Sequence, residues 1–190
     1  MNVDNLVSYY QSFEKDIEKL SRYIEICDDN CAVYSVELTR LYLAICSEVD
    51  VALKELCYIV SDESPQSMKG YIKVIREHCP SIIKHRVVFT GHDISRYPWK
   101  ELEDSQNMSW WTQHNKVKHH RMEHYKDANL GNVLLAFSAL YTINVQIMFE
   151  LKCKESITWR YEFGNFLSQT KHLFNLVRLP DVPFAYFLLE

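Results

Sequence analysis

Between Trp110 and Lys126 the chain gathers the side chains best suited to act on a phosphate. The run Trp110-Trp111-Thr112-Gln113-His114-Asn115-Lys116-Val117-Lys118-His119-His120-Arg121, continued by Met122-Glu123-His124-Tyr125-Lys126, holds four of the eight histidines. It also holds four bases (Lys116, Lys118, Arg121 and Lys126) against one acid, Glu123. Lysine and arginine hold phosphates, and histidine exchanges protons near neutral pH. Cleavage of RNA without a metal needs those parts. One group removes the 2′-hydroxyl proton, a second protonates the leaving oxygen, and a cation stabilises the phosphorane. Lys116, Lys118 and Arg121 are thus the phosphate-binding candidates, with a plain solvated helix face as the competing reading.

A helix over this run sorts the residues by direction. At about 100° per residue, Asn115 and His119 stand one turn apart on one face, with Trp111 below, Met122 above and Lys118 beside them. His114 points about 140° away from His119, so one helix does not aim both at one phosphate. A site using both is expected where two copies meet across a two-fold axis, which points to a homodimer. Trp110 and Trp111 read either as a core plug at the helix start or as a stacking surface, and Trp111 is the base-stacking candidate. His120 and His124 have the i, i+4 spacing of helical zinc ligands, but no third ligand is identifiable and the H-E-x-x-H pattern is absent, so no metal or other cofactor is expected. There is no P-loop, dinucleotide fingerprint or nucleophile elbow elsewhere.

The scaffold that must position this segment reads as an all-α, up-and-down bundle of four to five main helices in one domain, residues 1–190. A first helix over 4–27 is expected from Leu6, Tyr10, Phe13, Ile17, Leu20, Ile24 and Cys27, whose 4-3 spacing makes a narrow seam. A second follows from a Ser35 cap to about Val60, with Leu38, Tyr42, Ile45, Val49, Ala52, Leu56 and Ile59 on one stripe and Leu41, Leu43, Val51 and Leu53 on another. Ser64-Pro65 is the expected start of a short third helix that ends near Cys79, before Pro80. Residues 81–108 read as an inserted loop with a small hairpin turning at Gly91, with Arg96 and His92 on its surface. The fourth helix is expected over 109–125 and the fifth over 127–152. The C-terminal packing segment, 155–190, carries a helical pattern at Phe163, Phe166, Leu167, Phe174 and Val177, to be laid on the bundle or on a second subunit.

Composition narrows the class. Hydrophobic residues make up 47% and charged residues 24% with only four glycines, which excludes a disordered chain and a many-stranded β fold. The net charge of −4 is uneven: −8 over residues 1–64 (13 acids, 5 bases) and +4 over 65–190 (12 acids, 16 bases). That asymmetry suits self-association or an anionic ligand on the later part. Six cysteines without a CxxC pair, and charges within the first twenty residues, lead to the expectation of reduced thiols in a cytoplasmic protein. The uncharged run from Ala128 to Phe149 is long enough to span a bilayer. Asn144 and Gln146 well inside it favour a buried bundle helix instead, and no membrane association is expected.

With these helices placed, the chain resembles the HEPN superfamily, small all-α domains of bacterial defence, toxin and nucleotide-associated systems. The resemblance covers about residues 4–60 and 109–152. It rests on the paired long helices, the apolar helix from Ala128, and the segment His114-Asn115-Lys116-Val117-Lys118-His119. The family motif is an arginine, often followed by asparagine, then three residues and a histidine. Asn115 and His119 match; His114 occupies the arginine position. Active members are metal-independent endoribonucleases whose motif lines a cleft between protomers. The resemblance then implies His119 as the acid–base residue, Asn115 orienting it or the phosphate, and Lys118 or Lys116 as the cation. His114 is a weaker anion clamp than arginine, since it is largely neutral at pH 7 and makes no bidentate phosphate contact. The expectation is an RNA- or nucleotide-binding protein, with ribonuclease activity and an antitoxin partner as open extensions. The rival is a non-catalytic helical interaction module that binds a protein or a small anionic ligand.

Overall fold

A computed structural model of the chain describes residues 3–155 and 176–178. The described residues form five α-helices and a small sheet. These are α1 (Val3–Leu20), α2 (Val36–Ser61), α3 (Met68–His78), β1 (Val87–Phe89), β2 (Ser95–Arg96), α4 (Ser109–His124), α5 (Leu130–Glu155) and β3 (Val177–Arg178). The fold is mainly all-α, as the helical periodicities lead one to expect.

α2 and α5 make the most extensive pairing and form the centre of the bundle. Their 26 residues each are apolar on more than one side because neighbours cover more than one side. On α2, however, Val51 of the expected second stripe is exposed, whereas Leu41 and Leu53 are buried. One core cluster runs through all five helices, with Tyr10 of α1 stacked on Phe137 of α5 at 4.8 Å between ring centroids. The apolar run of α5 is accounted for in the same way. Its most hydrophobic window is 89% buried inside the fold, and helices of that length and composition occur as protein cores as well as membrane spans.

Several boundaries differ from the sequence expectation, each for a local reason. α1 stops at Leu20, not Cys27, because its last turn tightens: Arg22 N–H donates to Lys19 O and Tyr23 N–H to Leu20 O. Ile26 then takes the buried place that the seam assigned to Ile24 and Cys27. The cap of α3 is Ser67, whose Oγ accepts from Gly70 N–H, rather than Ser64. α5 begins at Leu130, since residues 125–127 form a 3-10 turn and the Asn129 side chain accepts from Asn132 N–H.

The insertion does form a hairpin, turning at Gly91 with φ +79°, a conformation open to glycine at little cost. β3 adds to it, giving the order β2-β1-β3, all antiparallel. Val177, expected in a helical pattern, is therefore in a strand; Phe163, Phe166, Leu167 and Phe174 lie outside the described residues. This stretch packs on the bundle, with Leu176 and Val177 buried and Leu176 N–H donating to the buried Glu14 carboxylate at 2.6 Å. Arg96 is no free surface residue either. Its guanidinium donates to Cys31 Sγ at 2.8 Å and pairs with Asp28 at 3.1 Å, tying the hairpin to the turn before α2. His92 is likewise partly covered, 3.6 Å from Glu25.

Candidate functional site: the groove between α4 and α3

α4 is set on the bundle by an aromatic anchor at its first turn. Ser109 N–H and Oγ both donate to the Glu101 carboxylate, which caps the helix from the preceding turn. Trp110 is buried, donates from Nε1 to Pro98 O at 2.8 Å, and meets Trp99 edge-on at 5.8 Å. Tyr42 of α2 donates its hydroxyl to Trp110 O. Of the two readings of the double tryptophan, the core plug applies to Trp110, while Trp111 is half-buried at the surface.

The interior stripe of α4 consists of Trp110, His114 and Val117. His114 therefore faces the core, 5% exposed, edge-on to Tyr42 at 5.9 Å and against Trp111 at 5.0 Å. Burial, with Lys118 and His119 nearby, pushes its pKa down from 6.5 to about 4, so the imidazole is neutral at pH 7. Its Nδ1 has no hydrogen-bond partner among the described residues. This corrects the expectation that His114 assists at a phosphate: the ring is interior, unprotonated and turned away from solvent. It also removes the geometric reason for a composite site, because the direction diverging from His119 leads into the protomer's own core.

The other face of α4 opens into a groove. Trp111, Thr112, Asn115, Lys116, His119 and His120 line it from α4, Asn107 and Met108 from the preceding segment, and Ser67, Met68 and Lys69 from the start of α3, around a volume of about 590 Å³. The structure thus brings together Trp111, Asn115, Lys116 and His119 from the expected set. Lys118 and Arg121 are exposed but do not line the groove. Among the described residues no aspartate or glutamate lines it, so the charged side chains described there are all of one sign.

Beyond the expected set, the groove gains one further lysine and one further histidine. Lys69 arrives from α3, and nothing in the sequence signals that α3 and α4 share a wall. His120 enters the groove without its i, i+4 neighbour His124, which is bound to Asp127 at 2.8 Å and lies outside it. The helix is broken at His120 (φ −135°, ψ 44°), which takes this residue out of the regular progression of side-chain directions. Among the described residues, no group of three or more His, Cys, Asp or Glu is placed to hold a metal ion.

The first half of α4 and the turn that follows the helix are both tied to the start of α5. Asn132 Nδ2 donates to Gln113 Oε1 and to Asp127 O, so the turn between the two helices is fixed from inside the bundle. No protein-family model matches this chain, and no curated protein or solved structure matches it significantly.

Proposed function

We propose that the groove between α4 and α3 binds the phosphate backbone of RNA, or the phosphate of a nucleotide. In this reading the chain is an HEPN-like cytoplasmic protein of a bacterial defence or toxin system. The observation that carries it is the make-up of one surface. Asn115 and His119, one turn apart, share a groove with Lys69, Lys116 and His120, with the half-buried Trp111 in its wall and no acidic side chain among the described residues. Cations without nearby carboxylates attract phosphate, and an indole offers a base a stacking surface without regard to sequence. Single-stranded RNA fits this combination best, since its bases are free to stack.

The test is fluorescence anisotropy of a short labelled single-stranded RNA in EDTA, over a series of salt concentrations. Binding is expected to weaken with salt, and Lys69→Ala and Lys116→Ala each to reduce the salt slope by about one. Trp111→Ala is expected to lower affinity by about 1–3 kcal/mol. Binding that ignores all three substitutions, or that is absent at micromolar protein, contradicts the proposal.

One observation favours the rival interaction module. Met122, on α4 beyond the groove, is the most exposed of the described large apolar side chains, at 93%. A stoichiometric protein partner lost on Met122→Asp, with no retained nucleic acid, would support that reading. Dimerisation remains part of the main proposal through the family resemblance, and light scattering that returns only a 22.6 kDa species at tens of micromolar sets it aside.

A further inference from the structure

We propose that Cys27 and Cys31 form a thiol pair that hydrogen peroxide oxidises to a disulfide across the turn before α2. Of the six cysteines, Cys46, Cys57, Cys79 and Cys153 are buried, and only Cys27 and Cys31 are half-buried at the surface. These two flank one 3-10 turn, Asp28–Asn30, with Cys27 at its N-terminal end and Cys31 at its C-terminal end. Cys31 Sγ lies 3.5 Å from Cys27 O, so the sulfur already leans back over the turn toward its neighbour. It also accepts from the Arg96 guanidinium at 2.8 Å, with the Asp28 carboxylate 3.1 Å from Arg96 and 4.0 Å from the sulfur. A cation against a sulfur stabilises the thiolate, which is the form that reacts. Burial raises the Cys31 thiol above its ordinary range and Arg96 works against that rise. The sulfur is therefore protonated at rest, and Arg96 sets how readily it ionises. Side chains four residues apart around a turn have Cβ atoms about 5–6 Å apart, and a disulfide needs about 3.5–4.5 Å. No residue of the turn is buried, so the small closure falls on exposed backbone and leaves the core alone.

In the first step the ionised Cys31 Sγ attacks one oxygen of the peroxide. The O–O bond breaks, the departing hydroxide takes up a proton to become water, and Cys31 is left as a sulfenic acid. Cys27 Sγ, as its thiolate, then attacks that sulfur. The S–S bond forms, the S–O bond breaks, and the oxygen leaves with a proton as a second water. Two thiols and one peroxide thus give one disulfide and two waters, the two sulfurs losing the two electrons that the peroxide gains. Neither cysteine lines the groove between α4 and α3, so this reaction stands apart from the phosphate-binding reading.

The experiment treats the reduced, folded full chain with hydrogen peroxide, then alkylates the remaining thiols in denaturant and digests with trypsin without reduction. Cleavage after Arg22 and Arg40 leaves both cysteines in one peptide, residues 23–40. The expected result in the mass spectrum is that peptide two hydrogens lighter with neither cysteine alkylated, while the four buried cysteines remain alkylated. In Cys27→Ser the reaction should stop at the sulfenic acid, which dimedone captures on Cys31. Arg96→Gln, with an unchanged circular dichroism spectrum, should slow the oxidation about threefold. Losing about one pKa unit of thiolate stabilisation lowers the ionised fraction about tenfold, and the more basic sulfur regains about threefold in nucleophilicity. A 23–40 peptide that stays doubly alkylated at millimolar peroxide, or Cys27→Ser protein that dimedone does not label at Cys31, overturns the pair. A rate unmoved by Arg96→Gln overturns the part assigned to Arg96.

Discussion

A histidine held neutral in the core leaves a signature in the pH dependence of stability, and His114 should show it. In the unfolded chain its imidazole takes a proton near pH 6.5; in the fold, burial delays that to about 4. Between those values the unfolded state binds more protons than the native state, so stability falls as the pH drops through this window. Above it both states are neutral and the group contributes no pH dependence. With the ring only 5% exposed, little solvent screening softens the effect. The loss attributable to His114 is about 2.5 kcal/mol by about pH 4.5 and about 3 kcal/mol in full. His85, also buried and pushed down to about 4, adds a second loss of the same sign, so the unaltered protein alone does not isolate either residue. The comparison is with His114→Leu, which keeps bulk in the pocket and does not titrate. Urea unfolding of both proteins from about pH 7.5 to 4.5 gives two stability curves by linear extrapolation. The reading is their divergence, not their offset, so a substitution that destabilises at every pH still reports. Curves that run parallel through the window would falsify the burial of His114 and return it to the list of groups able to meet a phosphate.

Other consequences follow from single contacts. Trp99 Nε1 donates to Thr142 Oγ1 at 2.7 Å in the fully buried core, so Thr142→Val strands an indole N–H and should cost about 1–3 kcal/mol in chemical denaturation. Ser67→Ala removes the α3 cap and should cost about 1 kcal/mol, with a parallel loss of RNA affinity because Ser67 begins the groove wall. Lys118→Ala, outside the groove, should weaken RNA binding less than Lys116→Ala in the same anisotropy assay.

The bundle was legible because its signals are periodic. Ser35 caps α2 as read, Gly91 turns the hairpin, and the uncharged stretch from Ala128 becomes the central helix. What escaped is backbone detail and tertiary contact. The early stop of α1 comes from a tightened last turn that its 4-3 apolar spacing does not register. The strand at Val177 exists only because β1 offers an edge to pair with. At the site, the outward face of Asn115 and His119 follows from helical geometry alone. The interior position of His114 was available from the same arithmetic, since it stands four residues after Trp110 and three before Val117, on the stripe that packs inward. Lys69 and the break at His120 had no sequence signal, because one depends on how α3 meets α4 and the other on a single pair of backbone angles.

The most direct measurement is chemical-shift mapping of isotopically labelled protein titrated with a short single-stranded RNA in EDTA. The expected perturbations are saturable and centred on Lys69, Trp111, Asn115, Lys116, His119 and His120, with the α2 surface around Val51 and Tyr58 silent. Shifts gathered around Met122 instead, or none at millimolar RNA, contradict a phosphate-binding groove between α4 and α3.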